Sequence, residues 1–281
     1  MEQPGPDSAE GRPAERVPYV MGYQPRVHAV MAGRTASEWA GFFIPYLKPG
    51  MRLLDCGCGP GSITVGLAEV VAPGEVVGVD IEPRQVARAQ ALAQDLGLTN
   101  ARFEVGSVYE LPFPDASFDA AFAVNALEHV SEPLRALREM RRVLRPGGVV
   151  GVRDPDSGTH RLEPDTPEIR EILQLFNRLR EESSSPYYAP RQRALLRQAG
   201  FVPGEAMVFA ECQSTPEDLR LMSLGGMDVL AGPAFRTVAV QRGWIDEARL
   251  ETLRAAFAAW PDQPDALRAL THYAAVGRVP V

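Results

Sequence analysis

The stretch Leu53-Leu-Asp-Cys-Gly-Cys-Gly-Pro-Gly61 joins a short apolar run to a turn with three alternating glycines. The next segment, Ser62 to Val71, places apolar side chains at helical spacing. This order predicts a buried strand, a glycine-rich loop whose backbone can approach a ligand closely, and a helix. A second predicted strand, Val76 to Asp80, also ends on an acid. Two carboxylates are therefore expected at one edge of a sheet.

The alternation of apolar strand and amphipathic helix continues beyond this unit. It predicts a Rossmann-like, doubly wound α/β fold with a mostly parallel seven-stranded sheet and helices on both faces. The predicted core helices cover 62–71, 83–96 and 133–144, and the predicted core strands cover 51–55, 76–80, 101–105, 120–124 and 149–153.

Segments around this core predict additional helices and two more strands. The helices are expected over 35–48, 167–182, 191–199 and within 216–260, and the strands over 207–212 and 272–281. The predicted organisation is a disordered tail (1–18), an N-terminal helical cap or lid (19–50), a cofactor-binding core (51–155), a helical lid insertion (156–190) and a C-terminal part of the core with a helical substrate-side insertion (191–281).

The amino-acid composition and net charge argue against several classes of protein. The chain has 281 residues, of which 45% are hydrophobic, and a net charge of −7. This acidic balance disfavours a broad nucleic-acid-binding surface, and no apolar run approaches the roughly 20 residues of a membrane span. Three cysteines without zinc-site spacing predict reduced thiols, no bound metal and a cytoplasmic protein.

Asp55 distinguishes between two nucleotide-like ligands that such a loop can bind. A dinucleotide loop has the pattern G-x-G-x-x-G, whose glycines hold a pyrophosphate at the helix N-terminus. Here Ser62 occupies the third glycine position, and Asp55 would repel a pyrophosphate but attract an ammonium group. The residues therefore favour S-adenosylmethionine, which has an ammonium and a sulfonium, over NAD. Asp80 can accept hydrogen bonds from ribose hydroxyls of either ligand.

Four ordered segments resemble the class I S-adenosylmethionine-dependent methyltransferases, in the ubiquinone/menaquinone-biosynthesis-like (methyltransferase type 11) branch. They are the stretch 53–64 that contains the glycine loop, the acidic loop (77–82), the stretch 106–119, and the stretch 137–148 with its Arg-Pro-Gly-Gly ending. The resemblance covers residues 35–155 well and thins beyond them. It implies S-adenosyl-L-methionine as cofactor and S-adenosyl-L-homocysteine as product.

The resemblance also implies a set of cofactor contacts. Asp55 is expected near the methionine ammonium, Asp80 at the ribose and Ile81 over the adenine. Ser107 occupies a position where the family commonly has an Asp that accepts the adenine amino group, so this contact is expected to be weakened or reorganised. The other expected cofactor contacts are Gly57, Cys58, Gly59, the Val108 amide, Asn125 and, from the N-terminal lid, Tyr23 and Arg34.

Acceptor-side candidates come from segments above the carboxyl ends of the strands. His28 and Asp154 are the candidate general bases, although a base is needed only when the acceptor retains its proton at pH 7. Tyr187 and Tyr188 lie in a Ser/Pro loop and are candidate aromatic walls. The remaining substrate-side candidates are Tyr19, His129 and Phe176, for which a packing role is the alternative.

These observations predict methyl transfer by in-line displacement to an O, N or C atom of a small apolar or aromatic metabolite. The expected partner is a small-molecule acceptor, with no nucleic acid and no membrane, and the protein is expected to be a monomer or a homodimer. An RNA or protein methyltransferase and a non-catalytic cofactor-binding scaffold are the open alternatives. Ser62 and Asp55 argue against an NAD-dependent oxidoreductase.

Overall fold

The computed structural model describes residues 31–281, apart from the side chains of residues 233 and 234. This part of the chain forms a seven-stranded sheet in the order β3-β2-β1-β4-β5-β7-β6. The strands are β1 (Leu53–Cys56), β2 (Val76–Asp80), β3 (Ala101–Val105), β4 (Phe118–Val124), β5 (Leu144–Glu163), β6 (Val202–Gln213) and β7 (Leu267–Arg278).

The first five strands run parallel, and β7 lies antiparallel between β5 and β6. The predicted fold class is therefore confirmed. The order of the strands reverses between β1 and β4, since β2 and β3 extend the sheet on one side and β5 on the other. In open α/β sheets, ligands bind at such a reversal, beyond the carboxyl ends of the strands.

Helices cover both faces of the sheet, and most begin where the sequence predicts. One face packs against α2 and the segment around Phe43, and the other packs against α4 and α6. The helices are α1 (Ala36–Trp39), α2 (Ser62–Val71), α3 (Pro83–Asp95), α4 (Pro133–Val143), α5 (Pro167–Glu181), α6 (Gln192–Gln198), α7 (Pro216–Ala231), α8 (Pro233–Ala239) and α9 (Glu247–Ala259).

The predicted helix over 35–48 is wrong in length. Thr35 caps α1 by accepting a hydrogen bond from the Glu38 amide at 3.4 Å, but α1 ends at Trp39. A short 3-10 turn, Ile44–Tyr46, follows with Pro45 inside it, and proline cannot donate the backbone bond that a continuing α-helix needs. The apolar spacing is nevertheless informative, because Phe42 and Phe43 are buried against the sheet.

The predicted strands 149–153, 207–212 and 272–281 differ in extent from β5, β6 and β7. β5 has 20 residues instead of the predicted 149–153, because it pairs with β7 at both ends and has a bulge between Asp156 and Arg161. The mostly helical character predicted within 216–260 is confirmed, since the segment contains three helices. The first ends at Ala231, and Gly232 caps it before Pro233.

Helices α5, α7, α8 and α9 form a helical module with its own apolar core. Leu162, at the end of β5, is part of that core, and the Trp260 indole nitrogen donates to the Glu163 carbonyl at 2.8 Å. The module is thus attached to the extended end of β5. None of the helices in residues 31–281 has the length and apolar character needed to cross a membrane. The predicted domain boundaries stay predictions.

Gly61 begins α2 in a left-handed conformation, with φ of 83°, and it touches α3 closely. A Cβ at this position would lie 2.7 Å from the Ala89 Cβ. We expect Gly61→Ala to lower the free energy of unfolding by about 2 to 4 kcal/mol, from left-handed strain and overpacking together.

Gly97 provides the control, because its φ is 67° but nothing lies within 4 Å of the place that a Cβ would take. Gly97→Ala should therefore cost only the strain, about 1 kcal/mol. Urea denaturation of both variants measures the difference. Equal losses would show that the close contact between Gly61 and Ala89 contributes nothing to stability.

Candidate functional site

The candidate site lies at the carboxyl ends of β1 and β4. The glycine loop (residues 57–61) leaves β1 there, and the amides of Gly57 and Cys58 donate to the Val79 carbonyl of β2 at 2.7 and 3.1 Å. Gly59 faces a more open region, since the nearest atom to a Cβ there would be the Met31 Cε at 3.7 Å. The loop backbone is thus fixed in place, and a Cβ at Gly59 would make only an ordinary van der Waals contact.

Asp80 ends β2 beside this loop and holds two backbone segments. One carboxylate oxygen accepts from the Gly59 amide and the other from the Glu82 amide, both at 2.9 Å. Burial raises the pKa of Asp80, and these two amides oppose the increase. Ile81 follows with 54% of its surface exposed. An acid beside an exposed aliphatic side chain is suited to a ribose and the face of a base.

Asp55 is buried one residue before the end of β1, only 3% exposed. The Thr64 hydroxyl of α2 donates to its Oδ2 at 2.6 Å. Burial raises the pKa of Asp55 to about 7, the Thr64 bond opposes this, and the nearby Asp80 charge adds to it. Among residues 31–281, Asp55 forms no ion pair. A cationic ligand group would supply the missing counter-charge.

Asn125 follows β4 on the opposite side of the crevice, and its backbone has a left-handed φ of 49°. With its amide oriented so that the oxygen faces Arg34, that oxygen accepts from both terminal guanidinium nitrogens, at 3.0 and 3.3 Å. The Arg34 guanidinium also lies 4.6 Å from the centre of the Trp39 ring. The structure therefore brings two predicted cofactor contacts, Arg34 and Asn125, together at the β4 end.

Asp154, at the centre of β5, is fully buried and shapes the neighbouring loop. Its Oδ1 accepts from the amides of Ala126 and Glu128, at 2.9 and 3.1 Å, and its Oδ2 accepts from the Tyr188 hydroxyl at 2.5 Å. Burial raises the pKa of Asp154 to about 8, against the effect of these donors. Its contacts support a positioning role, and its role as a base stays a prediction.

Tyr188 lies in the core beside α6, and the side-chain amide of Gln192 donates to its hydroxyl at 3.3 Å. Burial and the Asp154 carboxylate hold its pKa well above the usual range. Tyr187 points the other way, is 41% exposed and donates to Glu181 at 2.6 Å. The two tyrosines thus do not form a common wall in this arrangement.

Ser107 and Val108 follow β3 and are both partly buried. The Ser107 hydroxyl oxygen accepts from the Tyr109 amide at 3.2 Å, and the Ser107 carbonyl accepts from the Glu110 amide at 3.1 Å. These bonds form a tight turn at the carboxyl end of β3, on the same side as Asp80.

The short 3-10 turn after β4, Leu127–His129, is tied to the helical module. The buried Glu128 carboxylate pairs with Arg180 of α5, and Arg180 also donates to the Ser157 hydroxyl at 2.8 Å. His129 lies 3.5 Å from Glu128, and burial together with the Arg34 charge lowers its pKa to about 4. His129 is therefore neutral at pH 7, and α5 is held against the β4 end of the crevice.

The other predicted substrate-side residues lie further away or outside the described chain. Phe176 packs in the core of the helical module, with its ring centre 6.2 Å from that of Phe257. Tyr19, Tyr23 and His28 fall in residues 1–30, outside the described residues.

Sequence reasoning missed Thr64, Glu128 and Arg153 as parts of the site. Thr64 could have been found, since a hydroxyl in the first turn after a glycine loop faces the preceding strand. Glu128 is 52 residues from its partner Arg180, so no spacing rule connects them. Arg153 shows in the sequence only as a strand residue, because its packing between aromatic rings depends on three separate elements.

The fold and the site together define an open α/β protein whose glycine loop and two acids, Asp55 and Asp80, lie at the reversal of strand order. A family model described as a methyltransferase domain matches residues 47–189 of this chain. An uncharacterized methyltransferase of Schizosaccharomyces pombe is 34% identical over 62% of this chain and 65% of its own length. A demethylmenaquinone methyltransferase of Geobacillus kaustophilus is 29% identical over 64% of this chain and 84% of its own length.

A solved structure has a similar fold. The crystal structure of the YcgJ protein of Bacillus subtilis superposes with a TM-score of 0.59 at 22% identity, covering 86% of this chain and 97% of that one. The chain spans just under two thirds of the length of the S. pombe relative. It belongs to the methyltransferase domain family, in the ubiquinone/menaquinone-like branch of the class I S-adenosylmethionine-dependent methyltransferases.

The raised pKa of Asp55 predicts a pH-dependent affinity for S-adenosylmethionine. The ligand ammonium favours the ionised carboxylate, so binding should tighten by up to about tenfold per pH unit below the pKa near 7 and level off above it. Calorimetric titrations between pH 5.5 and 7.5 measure this slope.

Asp55→Asn is the matched control, because it keeps an oxygen for the Thr64 hydroxyl but cannot ionise. The variant should bind S-adenosylmethionine more weakly, with little dependence on pH over the same range. An unchanged slope in Asp55→Asn would remove Asp55 from the ammonium site.

Proposed function

We propose that this chain transfers a methyl group from S-adenosylmethionine to an O, N or C atom of a small apolar or aromatic metabolite. The observation that supports this most is the pair of buried or half-buried acids, Asp55 and Asp80, around a glycine loop at the reversal of strand order. Bound S-adenosylmethionine would supply a methyl group that its sulfonium activates. When the methyl group bonds to the acceptor, the sulfur keeps the electron pair of the broken C–S bond, and S-adenosylhomocysteine is the leaving group.

The chain's own residues would bind and orient this ligand. Asp80 would accept from the ribose hydroxyls, Asp55 would pair with the ammonium, and Arg34 would pair with the methionine carboxylate. Ile81 would cover the adenine. The remaining proposed contacts are Gly57, Cys58, Gly59, Ser107, Val108 and Asn125, and, outside the described residues, Tyr23.

Exclusion of water and alignment of the acceptor would provide much of the rate increase. The Glu128–Arg180 ion pair supports this proposal, because it fastens α5 beside the crevice and so helps to enclose it. Asp154 would hold the loop after β4 in position through its two amide contacts. His28 and Asp154 are the proposed bases for an acceptor that keeps its proton at pH 7.

A small acceptor is supported by three considerations. The helical module adds an enclosing layer, the chain has a net charge of −7, and one relative is named a demethylmenaquinone methyltransferase. We also propose that the protein is cytoplasmic and acts as a monomer or a homodimer.

A product assay tests the proposed function. The protein and methyl-labelled S-adenosylmethionine are incubated in three separate reactions, with hydroxylated aromatic compounds, with bulk RNA and with a protein extract. The label in each acceptor and the S-adenosylhomocysteine formed are quantified by mass spectrometry. We expect label transfer to an aromatic compound. Asp80→Ala should reduce it by at least tenfold, about the contribution of a charged hydrogen bond.

The matched control is Glu82→Ala, which removes a neighbouring acid whose carboxylate caps α3 by accepting from the Arg84 amide. It should leave transfer within about twofold, as expected for an exposed cap. Label found only in RNA or protein would contradict a small-molecule acceptor. Tight cofactor binding without transfer to any acceptor would favour the scaffold alternative.

A further inference from the structure

Arg153, in β5, is a buried cation one residue before Asp154. Its side chain is 7% exposed, and its guanidinium carbon lies 4.5 Å from the ring centre of Trp39 and 4.5 Å from that of Phe209. Trp39 belongs to α1 and Phe209 to β6, so two separate elements hold the guanidinium by its aromatic contacts. Arginine stays charged in such an environment.

The polar contacts of Arg153 leave its charge without a carboxylate partner. Its Nη1 donates to the Glu38 carbonyl at 2.9 Å, while its Nε is buried without a hydrogen-bond partner. In the described chain, Arg153 is in no ion pair. Burial lowers the pKa of Arg153, and the charges of Glu211 and Glu38 oppose this decrease.

Glu211, whose charge acts on Arg153, is itself paired with other residues. One oxygen of Glu211 pairs with Arg268 at 2.6 Å, and the other contacts His272 Nε2 at 2.8 Å. His272 also packs edge-on against Trp39, with ring centres 5.4 Å apart, and its Nδ1 is buried without a partner. Two unpartnered nitrogens, on Arg153 and His272, therefore adjoin the same indole.

The position of Arg153 connects it to the proposed methyl-transfer site. The backbone amide of Asn125 donates to the Arg153 carbonyl at 2.9 Å, so the Arg153 backbone adjoins the loop after β4. Arg34, the proposed partner of the methionine carboxylate, contacts the same Trp39 ring. A ligand group at Arg153 would thus be next to the methionine end of the cofactor and separate from the ribose and adenine contacts.

We propose that Arg153 binds an anionic oxygen of the methyl acceptor, and that the acceptor is a planar aromatic acid whose carboxyl or phenol group is ionised. A guanidinium presents a planar fork of donors that matches a carboxylate, and the flanking rings favour a flat, apolar body. This assignment rests on the proposed function and specifies the substrate class of the same site.

A purely structural role is the alternative. In that case, Arg153 would only fasten α1 to the sheet through Glu38 and Trp39, and it would have no preference for a charged ligand. The two roles differ in one measurable property, which is discrimination between an acid and a neutral molecule of the same shape.

Calorimetry with salicylate and salicylamide measures this discrimination on the full chain saturated with S-adenosylhomocysteine. We expect wild-type protein to bind salicylate at least tenfold more tightly than salicylamide. Arg153→Met should weaken salicylate binding at least tenfold and leave the affinity for S-adenosylhomocysteine within twofold. Arg153→Lys, which keeps the charge but loses the planar fork, should give an intermediate result.

Arg278→Met is the matched control. Arg278 is the last residue of β7 and is exposed, and its guanidinium carbon lies 5.8 Å from the centre of the Tyr46 ring. The variant should leave both probes unaffected. Equal binding of the two probes, no binding of salicylate to the cofactor-product complex, or full salicylate affinity in Arg153→Met would overturn the assignment.

Each failure can be traced to its own proposal. If S-adenosylhomocysteine itself does not bind, the proposed function fails and the acceptor assignment fails with it. If S-adenosylhomocysteine binds and the acid is not preferred, only the acceptor assignment fails. Should Arg153→Met not fold, the comparison of the two probes on wild-type protein and on Arg153→Lys decides the question.

Discussion

The close contact between Gly57 and Ala126 is the constraint on which the candidate site depends. A Cβ on Gly57 would lie 2.6 Å from the Ala126 Cβ, so only glycine lets the loops after β1 and β4 meet. Their contact closes one end of the crevice where the strand order reverses. Asp154 fixes the Ala126 side of this contact through its amide bonds, and the Val79 carbonyl fixes the Gly57 side. The cofactor loop and the acceptor side are thereby held in one frame.

The electrostatics of this frame are incomplete in the chain alone. Among the described residues, neither the buried acid Asp55 nor the buried cation Arg153 forms an ion pair. Burying either charge unpaired costs stability, and such costs persist most often where a ligand provides the compensation. A zwitterionic nucleoside on the β1 side and an anionic acceptor on the β5 side would satisfy both. The same asymmetry gives each ligand a distinct end of the crevice.

The sequence predicts the core of the fold well because local signals there agree with each other. Helix α2 and strands β2 and β3 have the predicted bounds, since glycines, prolines and apolar spacing all mark the same residues. The helix over 35–48 fails because Pro45 outweighs the apolar spacing, and β5 is underestimated because pairing with β7 extends it.

Site residues can also be predicted only where neighbouring parts of the sequence define them. Asp55 and Asp80 lie beside the glycine loop, as their strand-end positions predict. Arg153 could not be found in this way, because its environment comes from Trp39 and Phe209, which are 114 and 56 residues away in the chain. Tyr187 and Tyr188 are neighbours in sequence, yet one is exposed and the other buried in the core. Contacts formed by distant segments decide such cases.

Calorimetric titration with S-adenosylmethionine, S-adenosylhomocysteine and NAD tests the central claim most directly. We expect micromolar binding of the two sulfur nucleosides and no binding of NAD, because the acids at the glycine loop attract an ammonium and repel a pyrophosphate. Binding of NAD in preference to the sulfur nucleosides, or binding of none of the three, would contradict this claim.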